Sequence, residues 1–234
     1  MAVAERLKCS LRHSWTSSGR QESVAEHSWR LALLAALVSD AFPGLDRERL
    51  LLLCLFHDIG EAFTGDIPAF EKTAAHEAAE QSAVETWLAS LPDGVRPWLT
   101  ALWREFEAQE SREARLAKAL DKMETLIQHN EASIDTWLPV EYELNFTYGQ
   151  AQTDGDPYLS ALRAAVNQVT RKKIEQARRA RAGTDRQLCH GCFFRYRNAA
   201  SGSGSLPSYG YPHPSLRGCA GTIPGRSERP ITHV

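Results

Sequence analysis

His57 and Asp58 are adjacent at the end of an apolar run, LLLLCLF, over residues 50–56. An imidazole and a carboxylate together at the end of a buried segment are costly unless they share a partner. A divalent cation is one such partner, and this donor pair suits zinc, manganese, iron or cobalt better than calcium. An isolated His-Asp pair is more often just the water-exposed end of a helix. The neighbours shift that balance. Glu61 follows Asp58 by three residues and His57 by four, so on a continuous helix all three share one face. Asp66, after Gly65, stands at the helix exit, where it can look back at the same place. His27 and Asp121 add ligand-type side chains from two other segments. Each has a plain alternative: His27 as a satisfied core histidine, Asp121 as the partner of Lys118 or Lys122. Ligands carried on several helices and meeting in a bundle core are a known way to build a metal site.

The elements that must position these residues are helical. Ser23 and Glu26 match a capping box that opens a helix running to about Asp40, stopped by Phe42-Pro43-Gly44. Asp46 begins the next helix, which carries His57, Asp58 and Glu61 and ends near Thr64–Pro68. Further helices are predicted over about residues 71–91, 95–109, 113–134 and 157–181, with an irregular stretch from Asp135 to Gly155. Apolar positions recur at helical spacing with almost no strand-like alternation, so the domain reads as all-α. The composition changes near Gly183. Residues 1–182 form the globular unit, and residues 183–234, dominated by Gly, Pro, Ser and Arg, are expected to be a mostly disordered tail.

Composition limits the function classes. The 234-residue chain is 43% hydrophobic with formal net charge −2, so no global basic field argues for nucleic acid or an anionic membrane. No apolar run is long enough to span a bilayer, the N-terminus lacks a signal-peptide core, and the five cysteines form no dense framework. A cytoplasmic location is the expectation.

The residues His27, His57-Asp58 and Asp121, in this order, resemble the H…HD…D signature of the HD-domain phosphohydrolases. The segments ESVAEHSWR, LCLFHDIGEAFTGDIP, HEAAEQSAVETWLASLP, LWREFEAQESREARLAKALDKMETLIQ and LNFTYG are similar to its 5′-nucleotidase branch, over about residues 6–182. The resemblance implies an HD-domain helical bundle in which His27, His57, Asp58 and Asp121 hold one divalent ion, Mn²⁺, Co²⁺ or Mg²⁺ before Zn²⁺ or Fe²⁺. It implies that Glu61 orients or deprotonates the attacking water and that Asp66 contacts the nucleotide sugar. Arg12-His13-Ser14-Trp15 resembles an Arg-x-Gly-Trp element in which Arg12 holds the phosphate and Trp15 lines the sugar–base pocket; Ser14 stands where many relatives have Gly. Arg20 is a second cation that could serve the phosphate or pair with Glu22 or Glu26. The implied activity is hydrolysis of nucleoside or deoxynucleoside 5′-monophosphates by a homodimer. Another phosphate ester, a nucleoside triphosphate, or a non-catalytic ligand-sensing domain are the alternatives, and a triphosphate would require extra cations around the site.

Other signals were weighed and set aside. His76-Glu77-Ala78-Ala79-Glu80 lacks the second histidine of a zinc-protease helix, and a solvated face is preferred over a second ion at Glu77 or Glu80. The basic stretches 171–173 and 178–181 are read as cations at a helix C-terminus rather than as an RNA site. Cys189 and Cys192 form a lone CxxC without a second well-spaced pair.

Overall fold

A computed structural model describes the backbone of residues 1–199 and the side chains of residues 1–182. The chain divides into units of Met1–Arg186 and Gln187–Val234; every side chain described below belongs to the first, and the last helix runs past its end. Its elements in chain order are α1 (Ala2–Cys9), β1 (Leu11–Trp15), β2 (Gln21–Ser23), α2 (Val24–Val38), α3 (Arg47–Phe56), α4 (Glu61–Thr64), α5 (Ala74–Ala89), α6 (Arg96–Ala108), α7 (Arg112–Glu131), α8 (Glu141–Thr147), α9 (Gln150–Thr153) and α10 (Pro157–Ala199). The all-α reading holds, with a single small hairpin added among the described residues.

The core forms where α2, α3 and α7 meet. Val24, Leu31 and Ala35 of α2, Leu50, Leu53 and Cys54 of α3, and Ala117 and Leu120 of α7 are fully buried. Leu99, Leu102 and Phe106 of α6 and Val84 and Leu88 of α5 extend this cluster. Met123 and Leu126, further along α7, pack with Val166 of α10. Full burial of each large side chain contributes about 1.5–3 kcal/mol, so α7, which lends residues to both clusters, is the element against which the others are set.

Local chemistry explains the entry to α2. The Ser23 side chain accepts from the Glu26 backbone N–H, and the Glu26 carboxylate accepts from the Ser23 backbone N–H, so the capping box is complete. α2 ends at Val38 and a 3₁₀ turn, Ser39–Ala41, follows. Arg20 pairs with Glu26 at 2.7 Å on the surface, the structural one of its two expected roles.

α3 does not run through to Thr64 as expected. Beyond Phe56 the backbone bonds shorten their reach by one residue: Ile59 N–H donates to Phe56 and Glu61 N–H to Asp58, both at 3.1 Å. His57 and Gly60 keep right-handed helical angles, so periodicity alone cannot see the change. Gly60 lets the turn approach α5 closely: a Cβ there would displace the Glu80 side chain. Gly65, at φ 77°, ends α4 and turns the chain at Asp66.

Two further departures concern short elements. α1 was not anticipated, and α8 and α9 occupy the stretch expected to be irregular; helices of 8, 7 and 4 residues are too brief for a hydrophobic period to register. Arg163 closes α8 by donating to the carbonyl groups of Phe146 and Tyr148 at 2.8 and 2.7 Å.

α10 extends beyond the expected limit near Arg181 to Ala199. Gly183 weakens a helix by only about 1 kcal/mol, and no proline, the true breaker, occurs before Pro207. The basic residues of α10 therefore do not lie at its own C-terminus. Lys173 instead donates to the Asn130 and Ala132 carbonyls at the end of α7. The Cys189–Cys192 pair lies beyond the described side chains, and residues 200–234 of the expected tail lie outside the described residues. Among the described residues no helix is long and apolar enough to cross a membrane.

Candidate active site

Three segments bring the ligand-type side chains together. His27 lies in the first turns of α2, His57 and Asp58 in the turn after α3, and Asp121 in the middle of α7. His27 Nε2 stands 3.2 Å from Asp121 Oδ1, 3.3 Å from His57 Nε2 and 3.6 Å from Asp58 Oδ2. His57 Nε2 is 2.9 Å from Asp58 Oδ2 and 3.7 Å from Asp121 Oδ1. The ring nitrogens on the other side are engaged elsewhere: His27 Nδ1 meets Glu124 Oε2 at 2.5 Å, and His57 Nδ1 meets the Cys54 carbonyl at 2.9 Å. With the Nδ1 atoms engaged behind, both Nε2 atoms face Asp58 and Asp121. Two imidazole nitrogens and two carboxylates, with the rings oriented from behind by a carboxylate and a carbonyl, fit a divalent cation. His27, His57 and Asp121 are buried, with ligand atoms within 4.8 Å of one another.

Asp121 also has the lysine partners that were its alternative reading. Its Oδ2 lies 3.1 Å from Lys122 Nζ and 3.7 Å from Lys118 Nζ, while Oδ1 faces the histidines. The lysine pairing uses one oxygen of the carboxylate and leaves the other turned to the histidines. Lys122 also donates to Tyr148 Oη at 2.8 Å.

The electrostatics follow from this crowding. Burial lowers the pKa of His57, but the charge of Asp58 and hydrogen bonds to Asp121 and Asp58 outweigh it and raise the value to about 9. His27 is also raised: burial and Arg12 pull it down, and Glu124 and Asp121 override them. Asp58 is held below its usual range despite burial, chiefly by His57, and Asp121 well below, chiefly by Lys122. Glu61 moves the other way, raised well above the usual carboxylate range by burial and then by the charges of Asp58 and Asp66.

These shifts carry a pH prediction. Without an ion the His57 imidazole keeps its proton up to about pH 9, and a cation must displace that proton to reach Nε2. Affinity for Mn²⁺ is therefore expected to rise about tenfold per pH unit for each proton displaced, levelling near the His57 value of about 9. Calorimetric titration in buffers of different ionisation enthalpy measures both the affinity and the protons released. A pH-independent affinity with no proton release would contradict this donor set.

Beside the cluster opens a cavity of about 390 Å³ whose walls include Arg12, Asp58, Glu61, Asp66, Asp121 and Thr125. Arg12 is buried in β1; its Nη2 donates to Thr125 Oγ1 at 3.3 Å, while its buried Nη1 has no protein partner. β1 and β2 pair antiparallel with Leu11 opposite Ser23 and Trp15 opposite Gln21, so β1 carries extra residues between these pairings. An irregularity of this kind re-aims side chains, and consecutive Arg12 and His13 both line the cavity. Asp66 accepts from the His13 backbone N–H at 3.3 Å, with its other oxygen 4.0 Å from Arg12 Nε. Glu61 is 8% exposed, and its buried Oε2 has no hydrogen-bond partner.

One expected site residue is displaced. Trp15 is not among the residues lining the cavity; its ring packs edge-on against His13 at 4.9 Å, and its carbonyl accepts from Gln128. His13, two places earlier on the same strand face, occupies the wall instead.

Several cavity residues escaped the sequence reading: Phe70, Lys72, His129, Glu141, Asn145 and Tyr148. Of these, His129 was findable, since Asp121, Thr125 and His129 recur every four residues on one face of α7. Glu77 reaches the cavity wall, and Glu80 pairs with Lys72 at 2.7 Å, leaving it a structural partner.

Comparison with known proteins places this geometry in context. Over 135 residues the chain is 33% identical to the 5′-deoxynucleotidase HDDC2 of Danio rerio, covering 56% of this chain and 66% of the relative. It is 35% identical over 114 residues to the 5′-deoxynucleotidase HDDC2 of Homo sapiens, covering 48% and 55% of the two chains. The chain thus spans under two thirds of the length of these relatives. The crystal structure of a predicted metal-dependent phosphohydrolase from Magnetospirillum magnetotacticum superposes with a TM-score of 0.62 at 29% identity, covering 73% of this chain and 88% of that one. The profile of the HD domain matches residues 4–163, a span that includes His27, His57, Asp58 and Asp121, and the chain belongs to the HD domain family.

Proposed function

We propose that the protein is a metal-dependent 5′-nucleotidase that hydrolyses nucleoside or deoxynucleoside 5′-monophosphates to nucleoside and phosphate. The observation that carries this reading is the shared cavity. Asp58 and Asp121 line it, with His57 and His27 directly behind them; beside them are a buried guanidinium nitrogen, Arg12 Nη1, and a buried carboxylate oxygen, Glu61 Oε2, neither with a protein partner.

In this reading His27 Nε2, His57 Nε2 and the Asp58 and Asp121 carboxylates hold the ion. A divalent cation there, Mn²⁺, Co²⁺ or Mg²⁺, supplies charge that polarises a phosphoryl oxygen and acidifies water. Arg12 pairs through Nη1 with the non-bridging oxygens of the phosphate, a geometry that guanidinium suits. Glu61 takes the proton that the attacking water loses as its oxygen bonds to phosphorus. The bond from phosphorus to the 5′-oxygen breaks, the departing alkoxide takes a proton from solvent water to give the nucleoside, and Glu61 returns its proton to solvent. Asp66 meets the sugar, and its carboxylate is braced by the His13 backbone N–H.

The lysines of the cavity favour a monophosphate over a triphosphate. Lys72 is paired with Glu80, and Lys118 and Lys122 with Asp121, so their charges are already opposed, while Arg12 Nη1 is a buried donor without a hydrogen-bond partner. The test is phosphate release by the metal-stripped chain after return of Mn²⁺, Co²⁺ or Mg²⁺, across nucleoside mono-, di- and triphosphates. Metal-dependent release from monophosphates is expected. No release from any substrate, or release indifferent to metal, overturns the proposal.

A further inference from the structure

Beyond the groups needed for phosphate chemistry, the cavity carries an ordered polar wall with no structural reason to end as it does. Asn145 of α8 is 3% exposed. His129 Nδ1 meets one end of its amide, Oδ1, at 3.2 Å. The other end, Nδ2, is buried without a hydrogen-bond partner, and Asn145 lines the cavity.

His129 is fixed in turn. Its Nε2 lies 3.8 Å from Glu141 Oε1, an oxygen that also stands 3.3 Å from His13 Nε2. The second Glu141 oxygen accepts from the Leu138 backbone N–H at 2.6 Å. The Trp137 indole N–H donates to the His129 carbonyl at 3.1 Å. A buried amide donor left unsatisfied costs about 1–3 kcal/mol. Here the surroundings hold the amide in place without satisfying it, an arrangement that makes sense when a ligand supplies the acceptor.

Position indicates which part of a ligand that is. His129 follows Asp121 by eight residues on α7, a separation of about 12 Å along the helix axis. In the reading above the phosphate lies between Asp121 and Arg12, which meets Thr125 midway along that row, and the sugar at Asp66 beside His13. The His129 end lies past them along the same face of α7, and Phe70, whose ring meets His13 at 6.0 Å, adds an apolar surface to that part of the cavity. We infer that Asn145, oriented by His129 and Glu141, donates from Nδ2 to a ring-nitrogen or carbonyl acceptor of the nucleobase, making α8 the base-reading wall of the cavity. This rests on the nucleotidase reading above and adds a recognition element to it.

The test compares substrates with and without a base. Steady-state kinetics of the full chain with Mn²⁺ are measured on 2′-deoxynucleoside 5′-monophosphates and on 2-deoxyribose 5-phosphate, which keeps sugar and phosphate alone. Asn145→Leu removes the donor, whereas Asn145→Asp keeps an oxygen for His129 and sets an acceptor where the donor was. Each is expected to raise KM for the nucleotides about tenfold, the value of one lost hydrogen bond, with kcat nearly constant and the loss confined to base-bearing substrates. Equal losses on the abasic phosphate, or no change on the nucleotides, would overturn the assignment of Asn145. If the parent chain hydrolyses neither substrate, it is the nucleotidase reading that fails.

Discussion

Glu61→Gln is expected to lower metal-dependent phosphate release by ~10²–10⁴ while the protein still takes up its ion. The substitution preserves the size of the side chain and removes its ability to accept a proton as a base. Glu61 stands on α4, outside the cluster of ligand-type atoms, so metal content measured after dialysis should match that of the parent. The environment is suited to the role. Burial and the charges of Asp58 and Asp66 raise the Glu61 pKa, making the carboxylate a stronger base than one in water. A variant that retains turnover within a few-fold would remove Glu61 from the chemistry. One that loses the ion as well would make it a ligand instead.

Asp121→Ala should have the second large effect, and on two observables at once. Turnover falls to the metal-free background, because a carboxylate facing both histidines is gone. Stability falls too. Lys122 keeps Tyr148 Oη but loses its carboxylate partner at 3.1 Å, and His27 and His57 lose a shared acceptor. Removing one member of such a largely buried charge network costs roughly 3–5 kcal/mol. Urea unfolding of the metal-free proteins reads that cost separately from ion binding. The sign with pH follows from His57: its folded pKa is raised to about 9, so its stabilising contribution is complete below the ordinary value near 6.5 and fades as pH approaches about 9. The stability gap between parent and variant should therefore narrow as pH rises through that window. A variant with the parent's stability and turnover would show that Asp121 serves neither purpose.

How much of this was legible beforehand depended on how local the physics was. The capping box at Ser23 and Glu26 is complete within four residues, and it could be read directly. The His57-Asp58 pair stood out because polar groups interrupt an apolar run. The end of α3 at Phe56 could not be read, because the turn that follows keeps helical angles and changes only which carbonyl each N–H reaches. Trp15 was expected in the cavity from the resemblance of residues 12–15 to an Arg-x-Gly-Trp element, but on the irregularly paired β1 it is His13 that lines it. Glu124, the carboxylate behind His27, is 97 positions distant in the chain, and no spacing rule spans such a gap. Asn145 lay in a stretch too short and too mixed to read as a helix.

The row Asp121, Thr125 and His129 along α7 has a consequence for how this protein could diversify. One helix runs along the cavity like a ruler, with Asp121 beside the histidines at one mark and His129, which meets the Asn145 amide of α8, two turns on. Because α7 also supports both core clusters, changes to it would disturb cleavage and stability together. The rest of the wall, α8 and residues 67–70, contributes no atom to the ion cluster. New tastes in substrate can be acquired there by exchange of a few side chains, while the ruler itself stays fixed.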